Sequence, residues 1–172
     1  MIIILLGYMA SGKSHVGKRL AKQLNYDFID LDDFIEHNES RSITDIFDSK
    51  GEIYFRTQES KYLRQILADR SQIVLALGGG TPCYANNMTM ILNAQNCISI
   101  YLSATIPTIK ARLKNEKEKR PLISHINDDD LGEFVGKHVF ERMAYYNEAQ
   151  YIIATDGKSV ENITEEIILQ LF

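Results

Sequence analysis

The chain has 172 residues, 45% of them hydrophobic and 24% charged, which suits one soluble domain with a substantial core. With 19 Lys and Arg against 23 Asp and Glu, the formal charge of -4 argues against a protein built to coat nucleic acid or an anionic membrane, so any anionic partner must be gripped locally. Cys83 and Cys97 stand in no CxxC or CxxH pattern; neither a disulfide framework nor a structural zinc site is expected, and the cytoplasm is the natural compartment.

In chain order, the apolar run Met1 to Leu6 is about a third of a bilayer span and follows no basic stretch, so it reads as a strand, Ile2 to Leu6, and not as an anchor or signal peptide. A helix is predicted over Lys13 to Leu24, with Val16, Leu20 and Leu24 spaced by four, followed by a strand at Asp27 to Asp30. The connection from Asp32 to Gln72 is too long for one crossover helix. It is broken at Ser40 to Ser42 and at Gly51, which predicts an inserted helical subdomain, about residues 32–60, before a helix over Ile53 to Ala68. Strands follow at Ile73 to Leu77 and Cys97 to Leu102. A second irregular stretch, about residues 115–130, holds Pro121 and has the length of an active-site lid. The Lys/Glu-rich patch Lys114 to Lys119 and the acidic run Asp128 to Asp130 read as solvated surface. A strand at Tyr151 to Ala154 and a helix over Val160 to Leu171, capped by Ser159, close the chain. Short apolar segments alternating with helical periods give an α/β fold with five parallel strands, residues 1–172 forming a single domain. In such sheets ligands sit beyond the strand carboxyl ends, where both insertions are expected.

Gly7-Tyr8-Met9-Ala10-Ser11-Gly12-Lys13-Ser14 matches the phosphate-binding loop pattern in full, directly after a strand and directly before a helix. Its glycines let backbone amides curl around a polyphosphate, Lys13 reaches the outer phosphates, and Ser14 offers a hydroxyl to Mg²⁺. The strand that would end in a metal-holding Asp ends instead in Gly78-Gly79-Gly80. The acid must come from elsewhere, and strand two ends in Asp30-Leu31-Asp32-Asp33, which places Asp30 and Asp32 on one face of an extended stretch. One would hold the metal through water, the other face an acceptor hydroxyl as general base. The competing expectation, a helix N-cap with acids in its first turn, applies most to Asp33.

Three successive glycines exceed what a simple turn needs, and leave backbone amides open to a small ligand. Arg56 has Glu59 three residues on, a spacing that lets a carboxylate orient a guanidinium; Arg120 precedes Pro121 in the lid; Arg142 lies before the last strand. If Arg56 and Arg142 converge, they offer forked recognition of a carboxylate on a compact acceptor. Cys83 reads as a free thiol without a catalytic partner, Thr81 and Pro82 beside it receive no reading, and no histidine is given a catalytic role.

Taken together these residues resemble the shikimate kinase family, over almost the whole chain. GYMASGKS is similar to its phosphate loop, Asp30-Leu31-Asp32 to its paired aspartates, and Phe55-Arg56 with Glu59 to its substrate signature. Leu77 to Gly80 resembles its glycine triplet, Arg120-Pro121-Leu122 its lid motif, and Arg142 with Tyr146 its late Arg-x-x-x-Tyr element. The resemblance implies a three-layer P-loop kinase fold that transfers the γ-phosphoryl of ATP to a hydroxyl of shikimate, giving shikimate 3-phosphate on the route to the aromatic amino acids. It places ATP against Gly7, Ala10, Ser11, Gly12, Lys13, Ser14, His15, Arg112, Arg120 and Asp156, and Mg²⁺ at Ser14 and, through water, Asp30. It places shikimate against Asp32, Arg56, Gly78, Gly79, Gly80 and Arg142. Asp32, Lys13 and Arg120 are the implied catalytic residues, with Glu59 positioning Arg56. The expected protein is a monomer with no nucleic-acid or membrane partner; the alternatives are another small-molecule kinase, such as one acting on gluconate, or a nucleotide-binding regulatory module.

Overall fold

A computed structural model describes residues 1–114, 123 and 126–172. In chain order the elements are β1 (Ile2–Leu6), α1 (Lys13–Leu24), β2 (Asp27–Asp30), α2 (Leu31–Glu39), α3 (Ile43–Asp69) and β3 (Ile73–Ala76). A 3₁₀ turn (Thr81–Cys83) leads to α4 (Asn87–Asn93), β4 (Cys97–Ser103), α5 (Ile106–Lys114), α6 (Leu131–Tyr146), β5 (Tyr151–Ala154) and α7 (Val160–Leu171). The strands form one sheet in the order β2-β3-β1-β4-β5, every neighbouring pair parallel.

Both faces of the sheet are covered because β1 and β3 are apolar at every position, and alternate residues serve alternate faces. Ile2, Ile4, Leu6, Ile73 and Leu75 pack towards α2 to α6. Ile3, Leu5, Val74, Ile100 and Ile153 pack towards Val16 and Leu20 of α1 and Ile163 and Ile167 of α7. These are the expected three layers with the expected five parallel strands. Since β1 lies at the centre, with β3 and β2 on one side and β4 and β5 on the other, the loop after β1 opens at the point where the strand order reverses.

The described helices exceed those the sequence pattern predicted. α4, α5 and α6 were not foreseen, nor was the start of α3, whose Ser42 side chain accepts from Asp45 N as an N-cap. α3 kinks at Gly51, where φ is 81° and ψ 171°, a left-handed conformation that glycine adopts without strain. The turn residues Ser40 to Ser42 and Gly51 thus interrupt the helical connection where the sequence placed its breaks. β3 ends one residue earlier than expected, although Leu77 N still donates to Leu5 O at 3.0 Å.

One expectation is corrected at the end of β2. Asp30 and Asp32 do not share a face of an extended segment: the strand stops at Asp30 and Leu31 opens α2. Asp30 is the N-cap, its Oδ1 accepting from Asp32 N at 3.1 Å, while Asp32 and Asp33 occupy the first turn. The capping bond, available because a short acid precedes an apolar-periodic run, outweighs continuation of the strand. Of the lid region, residues 115–122, 124 and 125, Arg120 among them, lie outside the described residues.

Candidate active site

A cavity of about 760 Å³ lies at the carboxyl edge of the sheet, and most residues singled out in the sequence line it. The loop after β1 supplies Ala10 to His15. α1 begins with Gly12 at its N-cap position, without a side-chain cap and without acids in its first turn, so its amides face an incoming anion uncontested. Ser11 Oγ is buried and has no hydrogen-bond partner among the described residues. Lys13 Nζ folds over the loop, donating to Gly7 O at 2.9 Å and Tyr8 O at 3.0 Å. Gly7 serves through that carbonyl.

Ala10 occupies the left-handed region with φ 59°, uncommon for a residue with a side chain. Its carbonyl accepts from Arg112 Nη1 at 3.0 Å, and Arg112 reaches across to Thr155 O at 3.1 Å and Thr155 Oγ1 at 3.3 Å. Arg112 on α5 therefore braces the phosphate loop against the β5–α7 turn. Asp156, by contrast, does not line the cavity: its carboxylate accepts from Thr105 N at 3.0 Å and Thr105 Oγ1 at 2.7 Å. Those bonds hold it down at about 2.

Ser14 Oγ donates to Asp30 Oδ2 at 2.9 Å, so a hydroxyl and a carboxylate meet beside the phosphate loop. That pair of hard oxygen donors fits Mg²⁺, which binds through few protein groups and keeps its waters and phosphate oxygens. Asp32, in the first turn of α2, lines the same cavity. Burial first, then the charges of Asp30 and Glu59, push it up to about 7 against the pull of Lys13 and Arg56.

The glycine triplet is explained by what each residue faces. A Cβ on Gly78 would fall 3.0 Å from Glu59 Oε1 and Thr81 Oγ1 and 3.1 Å from Asp32 Oδ1. On Gly79 it would meet Arg142 Nη1 at 3.4 Å, and on Gly80 Arg56 Nη2 at 2.7 Å. The two arginines, from α3 and α6, thus approach adjacent backbone units where any side chain would displace at least the Arg56 guanidinium. Arg56 Nη1 donates to Glu59 Oε2 at 2.9 Å, and its guanidinium lies 5.3 Å from the Phe55 ring. Arg142 sits 5.4 Å from the Tyr8 ring, and Tyr146 OH, one turn further on α6, donates to Gly79 O.

Sequence reasoning missed Tyr8 and His138. Tyr8 OH and His138 Nδ1 are 3.3 Å apart, and His138 lines the cavity one helical turn before Arg142. The i, i+4 spacing to Arg142 was the available signal. Burial, with Arg142 nearby, lowers the imidazole's pKa. Lys158 lines the cavity while its Nζ is paired with Glu166 Oε2 at 2.6 Å. Cys83 is a half-buried thiol that burial pushes up to about 11, which leaves it unreactive.

The sequence model of the shikimate kinase family matches residues 9–172. The shikimate kinase of Flavobacterium psychrophilum is 45% identical over 170 residues, 99% of this chain and 98% of that protein. The crystal structure of shikimate kinase from Bacteroides thetaiotaomicron superposes with a TM-score of 0.92 at 30% identity, covering 99% of this chain and 98% of that one. Shikimate kinase from Acinetobacter baumannii, solved in complex with shikimate, gives 0.88 at 29% identity, covering 99% and 92%.

Proposed function

The chain belongs to the shikimate kinase family, ATP-dependent enzymes that phosphorylate shikimate to shikimate 3-phosphate, and we propose that its residues divide that reaction as follows. The phosphate loop and the α1 N-terminus hold the ATP phosphates, with Lys13 leaving the Gly7 and Tyr8 carbonyls for the outer phosphate oxygens. Ser14 and, through water, Asp30 hold Mg²⁺, whose charge offsets that of the phosphates. Asp32 accepts the proton of the attacking hydroxyl; a carboxyl near 7 is matched to that task at neutral pH. Arg56 and Arg142 grip the shikimate carboxylate against the glycine triplet, and Arg120 closes over the transferring phosphoryl group.

One observation carries this division: Gly78, Gly79 and Gly80 face Asp32, Arg142 and Arg56 in turn, so a base and a two-armed anion clamp meet beside a phosphate loop. A nucleotide switch has no use for such a clamp. ADP release with Mg·ATP, measured against shikimate, gluconate, AMP and no acceptor, tests the reading. Stimulation by shikimate alone is expected, and stimulation by another acceptor would send Arg56, Arg142 and the triplet back for reassignment.

A further inference from the structure

Glu59 is buried completely, and its two carboxylate oxygens are held from different elements. Oε2 accepts from Arg56 Nη1, one turn earlier on α3; Oε1 accepts from Thr81 Oγ1, on the residue that follows the glycine triplet. Thr81 is also fully buried and does not line the cavity. Its backbone is fixed on both sides: Thr81 N donates to Gly78 O at 3.1 Å, and Thr81 O accepts from Asn87 Nδ2 at 2.9 Å. Asn87, on α4, is fully buried in turn. A polar chain Asn87–Thr81–Glu59–Arg56 therefore runs from α4 beneath the triplet to the cavity wall.

The terminal torsion of a glutamate is broad, so a single bond from Arg56 would leave the carboxylate plane free to turn. Arg56 also has a competing partner, since its Nε lies 3.5 Å from Oε1 of the largely exposed Glu52. A buried carboxylate with one oxygen unsatisfied is costly and would draw Arg56 or water towards it. We propose that Thr81 is a positioning residue for acceptor recognition: by holding Glu59 Oε1 it fixes the plane in which Arg56 presents its guanidinium to the acceptor carboxylate. The inference rests on the assignment of Arg56 to that carboxylate. Thr81 itself touches no substrate.

The acceptor carboxylate is remote from the reacting hydroxyl, so a misaligned Arg56 weakens ground state and transition state alike, raising KM while sparing kcat. Steady-state kinetics of wild type, Thr81→Val and Thr81→Ser with shikimate and with shikimate methyl ester, which lacks the anion, test this. Thr81→Val should raise the KM for shikimate about tenfold, the scale of one lost hydrogen bond to a charged group, with kcat and the KM for ATP within about twofold. Thr81→Ser, which keeps the hydroxyl, should restore the wild-type value. On the methyl ester, wild type and Thr81→Val should have the same kcat/KM. If Thr81→Val does not accumulate as folded protein, Thr81→Cys keeps the volume with a weaker donor and should show the same selective rise. An unchanged shikimate KM, or equal losses on acid and ester, overturns the role of Thr81 alone. Wild-type protein that neither binds nor phosphorylates shikimate overturns the Arg56 assignment and this role with it.

Discussion

Asp32 illustrates how much chemistry one residue acquires from its neighbours. Its carboxyl is crowded by Asp30 and Glu59 and desolvated by its place under the triplet, effects that Lys13 and Arg56 only partly offset. An unfolded chain releases this proton near pH 4, whereas the folded protein keeps it up to about 7. Between those values the folded state binds the extra proton. The Asp32 contribution to stability is therefore complete below about pH 4 and is lost as pH rises through about 7. Asp32→Asn carries no titrating group, so its melting temperature should rise relative to wild type between pH 5 and pH 8. A constant difference across that range would show that Asp32 titrates as an ordinary carboxylate. The same substitution should remove most phosphoryl transfer at every pH, because the amide cannot take the hydroxyl proton.

At the scale of elements, the junctions carry more information than the elements do. α2 is tied to α3 by Glu39, whose two oxygens accept from Tyr54 OH and Tyr62 OH, each at 2.7 Å, and those bonds hold its carboxyl below the usual range. Glu36 Oε1 in turn accepts from Ile43 N at 2.7 Å, fixing the start of α3. Glu39→Ala should cost about 1 kcal/mol after allowance for solvent, a fall in melting temperature of about 2–4 °C, in thermal unfolding at pH 7. Because the Glu39 pKa is depressed, its contribution is present above the unfolded glutamate pKa and fades in acid, so wild type and variant should converge as pH falls through the folded value. Unequal melting temperatures persisting once acid has protonated the carboxyl in both states would assign the loss to packing. This junction also marks where sequence patterning stops being informative. β1, α1, β5 and α7 were legible because their apolar periods are uninterrupted and their ends carry turn or cap residues. The start of α2 was hidden because Asp30-Leu31-Asp32-Asp33 alternates like a strand edge, and only the bond from Asp32 N to Asp30 decides for a helix there. Thr81 was illegible for a different reason: its partner Glu59 is 22 residues away, and no local pattern announces a pairing made only by the fold.

Across the whole molecule, the site is assembled at a single edge from connections that follow different strands. The phosphate loop comes from the end of β1, Asp30 and Asp32 from the end of β2, the triplet from the end of β3, Arg112 from α5 and Arg142 from α6. Arg112 joins the loop after β1 to the turn after β5, and Tyr146 joins α6 to the triplet after β3, so the cavity wall is braced from two further elements. Among the described residues no helix is long and apolar enough to cross a membrane. Because the braces draw on several elements, nucleotide bound at this edge should stabilise the whole fold and not the loop alone. At about 100 times its dissociation constant, Mg·ATP should add about 2.7 kcal/mol, a rise in melting temperature of about 5–11 °C for a chain of this size. Lys13→Ala should fold and unfold as one cooperative unit, yet lose most of that rise, since the loop then lacks its only side-chain cation for the outer phosphates. A Lys13→Ala protein with the full rise would place nucleotide affinity in the backbone amides and the α1 N-terminus, leaving Lys13 a role in phosphoryl transfer alone.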